Sequence, residues 1–331
     1  MSQTRYRRRT LVAAAVVLAL AGGIERTLAQ TSVYPSRPVR LIVPFAPGGS
    51  TDITARLVAN KLGELLHSTF YVENHPGAGG NIGTDLVAKA QPDGYTLLWA
   101  NVAPIAINPH LYSELSFDPT KDLVPITLAT VFPNVIVAKP SLPADTFAAF
   151  SAKAKTEFKE LFFASAGNGS STHLAAEWLN SALGTQWTHV PYKGGGPALM
   201  AVISGQVDLY FSSVPAALPY LQTGTLKALA TTGAVRDFSL PDVPTVAESG
   251  FRDFEVLNWN GLLAPTGTPQ DVIDLLNKTA VAALTSPDLV MQLAKQGAQP
   301  RPTTPAEFAE FIKKDSARWA EVVKTIKLKI N

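Results

Sequence analysis

The sequence predicts an α/β protein: open mixed sheets flanked by helices, divided between two domains. Three observations carry this. Short apolar runs alternate with amphipathic helical patterns nearly throughout, as expected where helices cover both faces of open sheets. Three glycine-rich segments each join the end of an apolar run to a helix start. The final block, from Thr268 onward, is almost entirely helical in pattern, so it has no strand partner of its own and is expected to return onto the N-terminal part.

Taken in order, the apolar or β-branched runs Val39–Phe45, Phe70–Glu73, Tyr95–Trp99, Val135–Ala138, Leu161–Ala164, Thr188–Pro191, Val207–Phe211 and Leu226–Thr231 read as strands. Between and after them, apolar residues recurring every three to four positions mark helices. These are Thr51–Leu65, Asn81–Ala90, Ala144–Thr156, Ser171–Leu183, Gly196–Ser204, Val214–Leu221, Pro269–Thr285, Pro287–Gln296 and Pro305–Ile326. Pro269 and Pro305 stand at helix starts, where a missing N–H costs nothing, and Thr304-Pro305-Ala306-Glu307 has the form of a capped first turn. If the C-terminal helices pack on the N-terminal region, the backbone crosses between domains twice. The expected division is residues 30–128 plus 255–331 for one domain and 129–254 for the other.

The first 29 residues read as an export signal. Arg5, Arg7, Arg8 and Arg9 precede the apolar run Leu11–Ala21, too short to span a bilayer, and small residues at Thr27 and Ala29 place cleavage near Ala29. Arg8-Arg9 also admits the twin-arginine route. The whole chain carries a formal charge of +2, and removing five Arg and one Glu gives +2 − 4 = −2. The basic balance therefore belongs to the signal, and nucleic acid is not an expected partner. With no Cys there is neither a disulfide framework nor a lipid-modified cysteine. The expected product is a soluble periplasmic monomer.

The first glycine-rich segment, Val43-Pro44-Phe45-Ala46-Pro47-Gly48-Gly49-Ser50-Thr51-Asp52, offers backbone N–H groups at the positive end of a helix, a setting suited to a carboxylate. Asp52 itself reads first as a helix cap, ahead of a ligand contact. The second, Ser165 to His173, supplies Ser, Asn and backbone amides as neutral donors. Ser170 and His173 are three apart, but the string lacks the glycine two residues beyond Ser170 that a nucleophile elbow requires, so a hydrolase is disfavoured. In the third, Lys193 precedes Gly194-Gly195-Gly196 rather than following the glycines, so it is not a phosphate loop. The run Gly77 to Gly83 misses the dinucleotide fingerprint at Ile82. The five His show no zinc spacing, and neither metal nor cofactor is expected. Trp99 and Trp259 could each wall a cleft or pack in the core.

In combination, YPSRPVRLIVPFAPGGSTD (34–52), VENHPGAGGNIGTDLVAKAQPDGYTLL (72–98), INPHLY (107–112), FASAGNGSSTHLAAE (163–177), HVPYKGGGPAL (189–199), SGQVDLYF (204–211) and LPDVPTVAESG (240–250) resemble one family, the Bug-type substrate-binding proteins of tripartite tricarboxylate transporters. The likeness continues through GLLAPTGTP (261–269) and the helical tail 304–324. It implies a type II, Venus-flytrap periplasmic-binding-protein fold closing on a small dicarboxylate, tricarboxylate or aromatic acid, which is passed to transporter subunits or a sensor. By position it implies ligand contacts at Phe45, Pro47, Gly48, Gly49, Ser50 and Asp52, at Asn101 and Ala103 on a strand end, at Ser165, Gly167, Asn168, Gly169, Ser170 and His173, and at Tyr192 and Gly194. Many members carry Phe-Asp-Asn where this chain has Phe211-Ser212-Ser213. With Ser212 in place of a carboxylate, an amino-acid ligand is less expected than a plain acid. No catalytic residue is expected; the competing function is a periplasmic enzyme acting on a small carboxylate.

Overall fold

Strand and helix alternate as expected through residues 34–329, which the computed structural model describes. The expected export signal, residues 1–29, lies outside the described residues. In chain order the elements are β1 (Val39–Val43), α1 (Ser50–Leu66), β2 (Phe70–Asn74), α2 (Asn81–Ala88), β3 (Thr96–Asn101), α3 (Asn108–Leu111), β4 (Leu123–Ala138), α4 (Phe147–Lys153), β5 (Phe162–Ser165), α5 (Ser171–Leu183), β6 (Thr188–Pro191), α6 (Gly195–Ile203), β7 (Leu209–Ser213), α7 (Val214–Gln222) and β8 (Lys227–Thr231). There follow β9 (Leu257–Pro265), α8 (Gln270–Thr285), α9 (Pro287–Lys295), β10 (Gln299–Pro300) and α10 (Pro305–Ile326). From β1 onward they fall within one contact unit beginning at Arg37.

The strands form one hydrogen-bonded path, β2-β1-β3-β9-β4-β7-β5-β6, with β8 and β10 also paired to β4. The two expected sheets are two sections of this path, because β4 is 16 residues long and belongs to both. Its first part, Leu123 to Pro133, pairs antiparallel with β9, and its second part, Asn134 to Ala138, pairs with β7 and partly with β8. The sequence reading found only the second part. Pro125 and Pro133 interrupt the first with residues that cannot donate to a ladder, and the register shifts near Pro125 and Leu128 accommodate the irregularity. The expected boundary after residue 128 falls inside this strand.

Strand β9 was also missed, since Asn258, Asn260 and Gly261 are poor strand formers. Packing explains Gly261: a Cβ there would lie 2.2 Å from the Phe308 ring. Helix α10 lies over β4 at this point. Trp259 meets Phe308 edge to face, with centroids 5.5 Å apart, and donates to Asp315 Oδ2 at 2.8 Å. Burial pushes the Asp315 carboxyl above the ordinary aspartate range. The C-terminal helix thus returns onto the sheet as its pattern suggested, and the capping box of Thr304 and Glu307 closes its first turn. Trp99 is core: fully buried, it donates to Thr54 Oγ1 at 3.1 Å.

Candidate ligand cleft

Helix α1 begins without a side-chain cap. Gly49 occupies the N-cap position, and the first-turn residues Ser50 and Thr51 are buried. This leaves the positive end of the helix facing a narrow cleft. One wall is Phe45, Gly49, Ser50, Thr51 and Asn101; the other is Ala166, Ser170, Ser171, Thr172, Gly195 and Tyr210, with Ser213 and Asn258 completing the lining. Seven lining residues carry a hydroxyl, two carry an amide, and none is charged. The enclosed free space is about 30 Å³, on the order of one or two waters.

The walls touch through backbone. Ala46 N–H donates to the Lys193 carbonyl at 3.1 Å, and Tyr112 Oη donates to the Asn168 carbonyl at 3.0 Å. Glycines permit this approach: a Cβ on Gly196 would lie 2.4 Å from the Pro47 carbonyl, and one on Gly79 2.2 Å from the Asn168 carbonyl.

Of the residues singled out from sequence, Phe45, Gly49, Ser50, Asn101 and Ser170 come together in this lining. The others sit around it. Asp52 holds the first loop: its carboxylate accepts from Gly48 N at 3.0 Å, Asn74 Nδ2 at 3.0 Å and Arg56 Nε at 3.0 Å. Gly48 has spent its N–H on that bond, and Pro47 presses its carbonyl on Gly196. Ala103 N donates to Asn101 Oδ1 at 3.1 Å and fixes the amide that lines the cleft. Gly194 backs onto Ala46, where a Cβ would meet the Ala46 nitrogen at 2.8 Å. Tyr192 N donates to the Ser165 carbonyl.

The Ser165–Ser170 loop satisfies most of its own donors. Gly167 N donates to Ser165 Oγ at 3.1 Å, Gly169 N to His173 Nδ1 at 3.3 Å, Ala166 N to Thr172 Oγ1 at 2.9 Å and Ser170 N to the Gly167 carbonyl. What this side offers the cleft is therefore hydroxyls rather than amides. Asn168 is exposed and presents its carbonyl to Tyr112. His173 is no base for Ser170: its Nδ1 is occupied by Gly169, and its Nε2 lies 3.6 Å from Glu177 Oε1. Beneath the loop, His189 Nε2 meets Ser165 Oγ at 2.6 Å. Burial, reinforced by His173, lowers the His189 pKa to about 3, so its ring stays neutral and accepts a hydrogen bond from the Ser165 hydroxyl. Among the described residues no group of three or more His, Cys, Asp or Glu is assembled for a metal.

Residues 54–328 match the model of the tripartite tricarboxylate transporter family receptor. The chain belongs to this receptor family. It is 39% identical to protein BugT of Bordetella pertussis over 96% of this chain and 97% of that protein. An R. palustris protein solved with adipate superposes with a TM-score of 0.87 at 35% identity, covering 89% of this chain and 99% of that one. MatC from Rhodopseudomonas palustris, with bound malate, gives 0.83 at 36% identity, over 88% and 100%. The fold is that of the periplasmic binding proteins of this type.

Several lining residues of this receptor are not singled out individually by the sequence. Thr51, Ser171 and Thr172 fall within the first two loops it points to and Gly195 adjoins the third, and the run of hydroxyls from Ser170 to Thr172 is a usable signal. Asn258 lies in the strand the sequence hid. The Ser212 hydroxyl donates to the Ser213 carbonyl at 3.2 Å and is hydrogen-bonded with the Tyr210 phenol, while Ser213 lines the cleft directly. Nothing in the pattern marked Tyr210, whose phenol burial pushes further above its ordinary pKa and keeps protonated.

Proposed function

We propose that the cleft captures a small carboxylate in the periplasm and delivers it to a membrane transporter or a sensor, without chemical change. The observation that carries this is the lining itself: hydroxyls, amides and an uncapped helix start, with no charged side chain. Such a site holds an anion by many neutral donors. It offers no carboxylate to an ammonium group, so dicarboxylates and aromatic acids are favoured over amino acids. Similarity to proteins solved with adipate and with malate supports the same class. A free volume of about 30 Å³ requires the walls to part to admit a carboxylate. The division into 30–128 plus 255–331 and 129–254 gives two bodies hinged where the chain passes along β4 and into β9. The exported form starts near Gln30 and acts as a monomer.

The test is thermal unfolding of protein stripped of carried-over ligand by unfolding and refolding. A ligand at about 100 times its dissociation constant adds roughly 2.7 kcal/mol. A rise in melting temperature is expected with a subset of small carboxylates and not with sugars or nucleotides. No rise with any carboxylate overturns the reading, and conversion of a bound acid to a product overturns its non-enzymatic part.

A further inference from the structure

Every lining side chain but two is small. The exceptions are Phe45 and Tyr210. Tyr210 is 1% exposed, and its ring is packed among Val135, Val137, Ala164 and Ala198. Its position is therefore set by the core and not by a mobile loop. Its hydroxyl emerges beside Gly195, where a Cβ would approach it to 3.1 Å, and it shares hydrogen bonds with the Thr172 and Ser212 side chains, so a ligand oxygen would have to join or displace that hydroxyl cluster. Gly195 in turn abuts Gly49 at the start of α1. The phenol thus occupies cleft volume next to the helix end that receives the anion.

We propose that Tyr210 is the specificity-determining residue of the cleft: its ring limits ligand length, and its hydroxyl donates to the ligand, selecting a short aliphatic dicarboxylate. This rests on the carboxylate-receptor reading above. A wall fixed by core packing cannot retreat for a longer chain. A buried O–H donor favours an oxygen acceptor, and an ionised carboxylate is the strongest available. Replacing the tyrosine separates the two effects, because phenylalanine keeps the ring and loses the donor, while leucine shortens the wall.

The experiment is calorimetric titration of stripped wild-type protein, Tyr210→Phe and Tyr210→Leu with linear α,ω-dicarboxylates of three to eight carbons. The melting temperature of each ligand-free variant serves as a folding control, and Tyr210→Phe retains the packed ring should Tyr210→Leu fail to fold. Tyr210→Phe is expected to weaken binding about tenfold at an unchanged preferred length, the value of one hydrogen bond to a charged group. Tyr210→Leu is expected to move the preference to acids one or two carbons longer. Wild-type affinity in Tyr210→Phe, together with the wild-type length preference in Tyr210→Leu, overturns the inference. Failure of the wild-type protein to bind any carboxylate is a separate result, seen without either variant; it removes the receptor reading and this inference with it.

Discussion

His173 and His189 lie ring on ring, 3.8 Å between centroids and 14° from parallel. Phe163 packs against both rings, its centroid 5.0 Å from His189 and 6.4 Å from His173. The stack underlies the loop that supplies the cleft hydroxyls. His189 has an unfolded value near 6.5 and a folded value of about 3. Below pH 6.5 the unfolded chain takes up a proton that the folded chain refuses, so stability is full above 6.5 and is lost as the pH falls toward 3. Each pH unit in that window removes up to about 1.4 kcal/mol through this residue. Urea denaturation from pH 7.5 to 4.5 checks it: His189→Phe is expected to flatten the dependence, and an identical slope in the variant excludes this origin.

Gly196→Ala separates closure from folding. Gly196 is the second residue of α6, and alanine is a better helix former there than glycine. Its methyl would nonetheless collide with the Pro47 carbonyl in the closed form. Ligand-free melting temperature is expected to hold or rise while affinity falls at least tenfold. Calorimetry and small-angle scattering together check this; unimpaired binding shows that the two backbones need not meet.

Asp52→Ala should loosen the first loop. It removes the acceptor of Gly48 N–H and one of the two acceptors of the Asn74 amide, which keeps the Phe45 carbonyl. Each such bond is worth about 0.5–1.5 kcal/mol. The loss should appear in the ligand-free protein by chemical denaturation, in contrast to the effect at Gly196.

Lys193 is exposed, and its part in the closed cleft is its backbone carbonyl. Lys193→Ala is expected to leave carboxylate affinity within about threefold, as for solvated charges generally. Loss of all binding would place a cation in the site and contradict the neutral-donor reading.

Local pattern was enough for much of this molecule. The bounds of α5 and α10 agree with their apolar spacing, and the cap at Thr304 was written in four consecutive residues. The three glycine-rich turns could be located because glycine, proline and hydroxyl residues encode turn and helix start within a few positions. Their polarity also pointed to a small anion.

What the sequence could not supply depends on partners distant along the chain. The first half of β4 is a strand despite Pro125 and Pro133 because β9 pairs with it some 130 residues later in register, Leu123 opposite Pro265. Gly261 is explained only by Phe308. Whether Ser212 or Ser213 reaches the cleft is decided by strand orientation, and Tyr210 enters the lining only because core packing directs its hydroxyl past Gly195. The sequence by itself determined the alternation of elements, the uncapped helix start suited to an anion and the neutral chemistry of the loops, all of which follow from residues near one another. The tertiary structure alone decided which donors were already spent, which face of each strand met the ligand space and how little of that space was left, because each depends on groups that folding brings together from opposite walls.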